Sequence, residues 1–212
     1  RKKLIIGNID RLILDEADEM LSMGFKEDLE AIIQQTPKKK QILLFSATMT
    51  QKVVGVTKKY MKNSLEIAVA SVNRAADNVE HIFYVVKPRD RYEVVKRIAD
   101  MNPDIYGIVF CRTRRETKDI AIKLMNDHYN ADTIHGDLSQ SERDDVMRRF
   151  RKGQLQILVA TDVAARGLDV EDLTHIINYN LPDDDEIYIH RSGRTGRAGK
   201  KGVSIAIIHG RN

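Results

Sequence analysis

The sequence predicts an α/β fold in which parallel sheets are flanked by helices. Short apolar runs alternate with longer amphipathic stretches along the whole chain, which is the order of strands and helices in parallel sheets. The runs are apolar throughout, as strands are when helices cover both faces of their sheet. These strand-like runs are residues 12–14, 42–45, 67–69, 82–86, 108–110, 157–160, 175–179 and 203–208.

Three of the amphipathic stretches open with a helix start signal. In this signal a capping residue is followed three residues later by glutamate, and the two can exchange hydrogen bonds with each other's backbone N–H groups. The pattern therefore predicts helices just after Asp90, Thr113 and Ser139. The pairs are Asp90 with Glu93, Thr113 with Glu116 and Ser139 with Glu142.

Residues 71–80 are predicted to link two domains, because the stretch is polar, rich in small residues and without clear periodicity. The first domain then covers residues 1–70 and the second residues 81–212. The first contains only three strand-like runs, and a three-stranded parallel sheet with uncovered edges is a poor stand-alone domain. We therefore expect residues 1–70 to be the C-terminal part of a larger domain and only marginally ordered without it.

Charge, cysteine content and apolar runs limit the kind of protein and the kind of partner. Lysine plus arginine exceed aspartate plus glutamate by 35 to 31, a mild excess that many proteins without a nucleic-acid partner share. Residues 190–201 hold five lysine and arginine side chains and no acidic ones, which suits phosphate. For a second basic cluster at 143–152 taken alone, a solvated face is the default interpretation. The single cysteine, Cys111, excludes an internal disulfide and fits the cytoplasm, and no apolar run is long enough to span a membrane.

Adjacent carboxylates follow the first strand-like run. Asp15, Glu16 and Asp18 come directly after residues 12–14, at the carboxyl end of a predicted strand, where ligands of α/β sheets gather. One carboxylate there can hold Mg²⁺ together with waters and phosphates, while its neighbour orients or deprotonates a water for attack on a phosphoryl group. An acidic helix start, favoured by the helix dipole, is the competing interpretation.

Hydroxyl side chains end the next predicted strand. Ser46 and Thr48 follow residues 42–45 and are expected at the same sheet edge, within reach of Asp18. Hydroxyls at strand ends are often only turn or cap residues. Their position at the edge that carries the carboxylates favours a shared site.

An arginine- and glycine-rich segment in the second domain indicates an anion site. Guanidinium groups at three-residue spacing can converge on one anion, and glycines allow close backbone approach. A solvated helix face would hardly contain three glycines, because each weakens a helix. The segment consists of His190, Arg191, Gly193, Arg194, Gly196, Arg197 and Gly199, and the strand-like run 157–160 before it ends in Thr161 and Asp162.

Taken in chain order, these segments resemble motifs II, III, V and VI of the DEAD-box RNA helicases. The resemblance covers essentially the whole chain. The motif sequences are similar to those of bacterial members of the family. An ordered set of motifs is far more specific than any single four-residue match. The matching segments are 15–18, 46–48, 160–169 and 190–197, with further similarity at 20–25, 109–113 and 134–143.

The resemblance implies two RecA-like domains that close on ATP and RNA, the first partial in this chain and the second near complete. Asp15 is expected to hold Mg²⁺, and Glu16 to position or activate the attacking water. Residues expected to couple the site to domain closure are Asp18, Ser46, Thr48 and His190. Residues expected at the nucleotide are Asp15, Glu16, Gly167, Asp169, Arg194 and Arg197, with the two arginines acting as arginine fingers on the γ-phosphate.

The resemblance also implies a surface for RNA. Phosphate and 2′-OH contacts carry little sequence information, so single-stranded or short duplex RNA is expected to bind without sequence preference. Two positions are open for Asp162: on this RNA surface, or near the nucleotide's sugar or the domain interface. Asp169 is expected at the second of these positions. A monomer that accepts protein cofactors is expected. The residues predicted to face RNA are Arg112, Thr113, Gly136, Gln140, Arg143, Thr161 and Asp162.

The 212 residues contain no G-x-x-x-x-G-K-[ST] phosphate-binding loop. Because the amides and lysine of that loop cradle the phosphates, this chain alone is expected to bind ATP poorly, and helicase activity is expected of a longer parent protein. A non-catalytic RNA- or partner-binding module is the alternative for the chain alone. A DNA helicase of the same superfamily is a third interpretation, against which segments 15–18 and 46–48 argue.

Overall fold

The computed structural model describes residues 4–68, 78–165, 168, 170, 172–196 and 199–210. The chain divides into two compact units, Arg1–Val72 and Asn73–Asn212. Most of the stretch predicted to be a linker, residues 71–77, lies outside the described residues. Gly167, Asp169 and Arg197, which the family resemblance places at the nucleotide, lie outside them as well.

In the first unit, a pair of parallel strands packs against helices. Leu12 pairs in register with Ile42, and Leu14 with Leu44. These side chains pack on the apolar faces of the helices, around the buried Leu21. The described elements are β1 (Arg11–Leu14), α1 (Ala17–Ser22), α2 (Lys26–Gln35), β2 (Gln41–Leu44) and α3 (Gln51–Tyr60).

Only one face of this sheet is covered by described residues. Ile13 and Phe45, on the opposite face, are 59% and 55% exposed, because successive side chains of a strand point to opposite faces. The prediction that helices cover both faces is therefore wrong for the described part of this unit. The strand predicted at 67–69 is also wrong where it can be seen: residues 67 and 68 form no strand. A strand needs a partner for its backbone N–H and C=O groups, and no described strand pairs with these residues.

The second unit is a six-stranded sheet in which every pairing is parallel. Its strands lie in the order β3-β8-β7-β4-β6-β5. The described elements are β3 (Val79–Val85), α4 (Arg91–Met101), β4 (Gly107–Phe110), α5 (Arg114–Asn126), β5 (Ala131–Ile134), α6 (Gln140–Arg151), β6 (Ile157–Ala160), α7 (Asp162–Ala165), β7 (His175–Asn178), α8 (Asp185–Ser192) and β8 (Gly202–Ile208).

Helices cover both faces of this sheet, as predicted. Residues of α4 and α5 pack around Val109 on one face, whereas residues of α6 and α7 pack around Ile108 on the other. Adjacent positions of β4 thus serve separate cores. The four residues of β4 and the four of β6 are all buried, which explains why their sequences are apolar without alternation.

One strand of the second unit is missing from the sequence prediction, and another begins three residues before its predicted start. β5 was not predicted, because Asp132 and Thr133 interrupt its apolar character; the strand lies at the sheet edge, where these residues are only partly buried. β3 begins at Val79, which pairs with Gly202 of β8, rather than at residue 82. Val79 and Glu80 therefore belong to the sheet, although their composition resembles that of the linker.

The predicted helix starts are confirmed, with one difference in chemistry. Ser139 and Glu142 form a complete capping box at α6, and the Thr113 hydroxyl accepts a hydrogen bond from the Glu116 amide at α5. Asp90 precedes α4, but its side chain makes no capping bond. A short 3-10 turn, Pro88–Asp90, leads into that helix instead.

Candidate functional site

The carboxylates of Asp15 and Glu16 are both exposed at the carboxyl end of β1. Glu16 has φ 49° and ψ 47°, the left-handed region that a non-glycine residue rarely adopts. Its amide donates to Asp15 Oδ1 over 3.0 Å, and the next amide, of Ala17, donates to the Phe45 carbonyl at the end of β2. The chain thus turns sharply from β1 into α1, and both carboxylates remain open to a ligand.

Asp18 lies beneath this edge and joins the ends of β1 and β2. It is 5% exposed, and its Oδ2 accepts hydrogen bonds from the Thr48 amide at 2.8 Å and the Thr48 hydroxyl at 3.0 Å. The Ser46 hydroxyl accepts from the Asp18 amide and donates to the Thr48 carbonyl. The structure therefore brings together the three residues that the sequence placed at one edge.

The environment of Asp18 keeps its side chain ionised. Burial alone raises the pKa of Asp18, but the hydrogen bonds from the amide and hydroxyl of Thr48, with a contribution from Ser46, hold that pKa below its ordinary value. Donors that point at a carboxylate stabilise its charged form. Asp18 is therefore a buried anion with a structural bond network, whereas Asp15 and Glu16 are exposed.

In the second unit, the residues predicted to face RNA lie at the carboxyl edge of three neighbouring strands. Arg112 and Thr113 follow β4, Gly136 follows β5, and Thr161 follows β6, in the strand order β4-β6-β5. Gln140 and Arg143 lie in the first turns of α6, and Arg143 donates to the Ala164 carbonyl in α7. A Cβ on Gly136 would meet only Arg114 Cδ, at 3.9 Å, so the backbone there is open to a partner.

Several of these side chains already have partners within the unit. Thr113 caps α5, and Gln140 Nε2 donates to Asp144 over 2.7 Å. Arg112 Nη2 donates to the Leu181 carbonyl at 3.2 Å and to Asp183 Oδ1 at 2.8 Å. Arg112 remains exposed, with 54% of its side chain accessible.

Asp162 is held differently from the other predicted RNA contacts. Both of its carboxylate oxygens accept from Arg191, at 2.6 and 2.8 Å. Arg191 is 4% exposed, and its Nη1 also donates to Asn178 Oδ1 and the Asn180 carbonyl. The Arg191 guanidinium lies 4.8 Å from the centre of the Phe110 ring. Asp162 therefore secures α8 to the sheet edge.

The sequence pattern assigned Arg191 to an anion site, but in the structure this side chain is buried and bonded to Asp162, Asn178 and the Asn180 carbonyl. The sequence pattern did not indicate a role for Asn178 or Asn180. Asn178 offered a signal, because it is a polar residue inside the otherwise apolar strand-like run 175–179. A polar side chain that is fully buried in a sheet needs a hydrogen-bonding partner. In the second unit that partner is Arg191.

A second missed group surrounds the loop after β5. His135 is 3% exposed, and its Nδ1 accepts from the Asp137 amide over 3.2 Å. Burial lowers the pKa of His135, and nearby Lys118 and Arg114 lower it further. Arg114 and Lys118 pair with the Asp137 carboxylate and hold its pKa below the ordinary value. These contacts shape the loop that presents Gly136.

In the glycine-rich segment after α8, the structure explains one glycine. Gly193 ends α8 with φ −67°, which any residue can adopt, whereas Gly196 has φ 69° and a Cβ there would lie 2.6 Å from Val79 Cγ2. The close approach at Gly196 is thus made by the unit's own β3. His190 lies in the last turn of α8 and Arg194 follows it, both partly buried.

The donor set at the end of β1 fits Mg²⁺. In the described part of the chain, no group of three or more histidine, cysteine, aspartate or glutamate side chains could hold a metal ion. Mg²⁺ bound with nucleotide requires no such group, because it uses one or two carboxylates together with phosphate oxygens and waters. Asp15 is exposed at the sheet edge where such a carboxylate is needed.

Comparison with known proteins settles the family. The model of the helicase conserved C-terminal domain matches residues 90–199, and the model of the DEAD/DEAH box helicases matches residues 1–56. The chain belongs to the DEAD-box helicase family. Its two matched regions correspond in order to the carboxylate edge of the first unit and to the arginine-rich second unit.

Relatives of the DEAD-box chain include bacterial proteins. It is 42% identical over 208 residues to the DEAD-box ATP-dependent RNA helicase CshA of Bacillus cereus, covering 98% of this chain and 40% of that protein. It is 42% identical over 211 residues to the ATP-dependent RNA helicase CshA of Listeria monocytogenes, covering 100% and 41%. The chain thus spans about two fifths of the length of these curated relatives.

Solved structures agree with the RecA-like, parallel-sheet fold. A DEAD box protein from the hyperthermophile Methanococcus jannaschii is 47% identical with a TM-score of 0.62, over 98% of the DEAD-box chain and 56% of its own. Dbp5 of Saccharomyces cerevisiae bound to RNA and ADP BeF3 is 32% identical with a TM-score of 0.86, over 97% and 55%. Among the described residues of the DEAD-box chain, no helix combines the length and apolarity required to cross a membrane.

Proposed function

We propose that the protein to which this chain belongs is an ATP-dependent RNA helicase that couples ATP hydrolysis to RNA binding and local duplex separation. The observation that supports this most directly is the exposure of Asp15 and Glu16 at the end of β1, above the Asp18–Thr48 network. The curated relatives carry the name of ATP-dependent RNA helicases. Because the chain spans only part of them, the activity is proposed for the whole protein.

In this proposal the carboxylates divide the work of phosphoryl transfer. Asp15 would hold Mg²⁺, which supplies neutralisation of phosphate charge when bound. Glu16 would orient the attacking water or accept its proton. Arg194 and Arg197 would stabilise negative charge on the transferred phosphoryl group, and Gly167 and Asp169 would line the nucleotide. Asp18, Ser46, Thr48 and His190 would couple this site to domain closure.

We further propose that RNA binds at the carboxyl edge of the second unit. Residues from the ends of neighbouring strands and from α6 share this edge, so one backbone can contact several of them. Contacts to phosphate and sugar carry little sequence information, and RNA binding is therefore proposed to be independent of sequence. The proposed contacts are Arg112, Thr113, Gly136, Gln140, Arg143 and Thr161, with Asp162 supporting the edge through Arg191.

We further propose that the protein acts in the cytoplasm as a monomer and binds protein cofactors. Among structural relatives, SrmB of Escherichia coli has been solved with the regulator RraA. For the whole protein, a purely non-catalytic binding module is not favoured, because the curated relatives carry the names of ATP-dependent enzymes.

ATP hydrolysis by the whole protein, with and without single-stranded RNA, tests the catalytic assignment. RNA-stimulated turnover is expected, and Glu16→Gln should lower it by about a hundredfold or more because general-base catalysis is lost. Glu27→Gln is the matched control, since Glu27 is an exposed residue of α2. The 212-residue chain alone is expected to show no turnover. Hydrolysis that is insensitive to Glu16→Gln would refute the assigned role.

A further inference from the structure

The loop between β7 and α8 accepts hydrogen bonds from arginines that come from different elements. Arg91 at the start of α4 donates to the Tyr179 carbonyl. Arg191 in α8 donates to the Asn180 carbonyl at 2.7 Å, and Arg112 after β4 donates to the Leu181 carbonyl at 3.2 Å. Consecutive carbonyls of the loop are therefore each held by a guanidinium group.

Arg112 is the exposed member of this set. Arg91 and Arg191 are 9% and 4% exposed, and their charges are enclosed by the unit. The Arg112 side chain is 54% exposed, and its partner Asp183 is 87% exposed. Exposed ion pairs are held weakly because water competes for both charges. Arg112 can therefore exchange its partner without unfolding its surroundings.

We propose that Asp183 competes with an RNA phosphate for the Arg112 guanidinium, and so sets the RNA affinity of this edge. The inference rests on the proposed function, in which Arg112 contacts the RNA backbone. A guanidinium group binds carboxylate and phosphate through the same N–H fork. Its bonds to Asp183 and Leu181 direct the Nη2 donor towards the loop, so a phosphate that binds through Nη2 has to displace the Asp183 carboxylate.

The exchange also has a consequence for the loop that precedes α8. When Arg112 turns to a phosphate, the Leu181 carbonyl and Asp183 lose the guanidinium. Asn180 remains tied, because its Oδ1 accepts from the Arg112 amide at 3.0 Å and its carbonyl accepts from Arg191. RNA binding is thereby linked to residues 181–184, which lead into the helix that carries His190.

A double-mutant cycle measured by RNA binding tests this inference on the 212-residue chain. Fluorescence anisotropy with a labelled single-stranded oligouridylate gives the affinity of the chain and of its Asp183→Asn, Arg112→Gln and doubly substituted variants. Asp183→Asn is expected to tighten binding roughly two- to fivefold, the range of a surface ion pair. Arg112→Gln should weaken binding and reduce the slope of log affinity against log salt by about 0.7.

The decisive comparison is the effect of Asp183→Asn in the Arg112→Gln background, where it should disappear. Asp185→Asn is the matched control, because Asp185 is exposed in the same segment and loses the same charge. If Asp183→Asn still tightens binding without Arg112, or if Asp185→Asn tightens it equally, general repulsion explains the effect and the inference is overturned. If the unsubstituted chain binds no RNA at all, the proposed RNA surface fails and the inference fails with it.

Discussion

Burial and hydrogen bonding act on the pKa of Asp18 in opposite directions. Burial raises this pKa, and the bonds from Thr48 and Ser46 outweigh burial and lower it. The carboxylate therefore links the ends of β1 and β2 as an anion. Because its folded pKa is lower than its unfolded pKa, the ionised side chain stabilises the folded first unit.

The pH dependence of this contribution follows from its sign. The stabilisation is fully present above the ordinary carboxyl pKa of 3.8 and is lost as pH falls through the lower, folded value. Thr48→Val should bring the folded pKa closer to 3.8 and destabilise the first unit by about 1.5 kcal/mol, since it removes a hydrogen bond to a charged group. An NMR titration of the Asp18 side-chain carboxyl carbon measures this shift. Thr57→Val in α3 is the control, and an unchanged Asp18 titration in Thr48→Val would contradict the assignment.

Asp162 and Arg191 form an ion pair within the second unit. Asp162 therefore has a structural role in addition to its proposed place near the RNA. Arg191 is enclosed in the unit, so its positive charge depends on Asp162, Asn178 and the Asn180 carbonyl. An enclosed charge that loses its partner is strongly destabilising. The pair therefore contributes to the integrity of the edge.

Asp162→Ala is expected to destabilise the second unit by about 3 kcal/mol, the lower end of the range for breaking a buried ion pair. Asp183→Ala breaks an exposed arginine pair instead and should have a much smaller effect. Urea unfolding followed by circular dichroism compares the two variants. Equal effects of the two substitutions would show that the enclosure of Arg191 has no energetic consequence.

At the scale of elements, α6 shows how local sequence positions a functional surface. The Ser139 hydroxyl and the Glu142 carboxylate satisfy backbone N–H groups at its start, and Gln140 and Arg143 occupy the same first turns. Val146, Met147 and Phe150 bury the opposite side against the sheet. The cap thus fixes where the predicted RNA contacts begin.

Ser139→Ala should destabilise the second unit by about 1 kcal/mol, the usual effect of losing a helix cap. Ser141→Ala provides the comparison, because Ser141 is an exposed residue within the same helix and alanine favours helix formation. Thermal unfolding of both variants is the measurement. A loss of stability in Ser141→Ala that matches the loss in Ser139→Ala would rule out capping as the cause.

For the whole molecule, the two units differ in how completely their described sheets are enclosed. The first has a two-stranded sheet with Ile13 and Phe45 exposed on one face. The second has β4 and β6 buried in the middle of a sheet with a core on each face. Regions with fewer buried apolar contacts open at lower free energy.

Amide hydrogen exchange is therefore expected to be faster in β1 and β2 than in β4 and β6. The difference should appear in the chain by itself, under conditions where the second unit stays folded. Mass spectrometry of peptides that cover residues 10–48 and 107–160 provides the measurement. Strong protection across residues 10–48, comparable to that of β4, would contradict the expected marginal order of the first unit.

Local pattern was enough to predict most of the strands and several helix starts. The apolar runs at β4 and β6 and the capping pairs at Thr113 and Ser139 act over a few residues, so their signals lie within a short window of sequence. β5 escaped because Asp132 and Thr133 are tolerated at a sheet edge. The run at 67–69 failed at its described residues because an apolar run becomes a strand only beside a partner strand.

The sequence by itself determined the α/β class, which apolar runs form strands of the second unit, and the family. Periodicity and ordered motifs are properties of the linear chain. It also placed Asp18, Ser46 and Thr48 at one edge, since parallel strands share their carboxyl ends. Only the tertiary structure decided that Asp162 is bound to Arg191, 29 residues away, and that Arg112 is shared with Asp183. Such pairs depend on which loops meet at the sheet edge, and that is decided by the strand order.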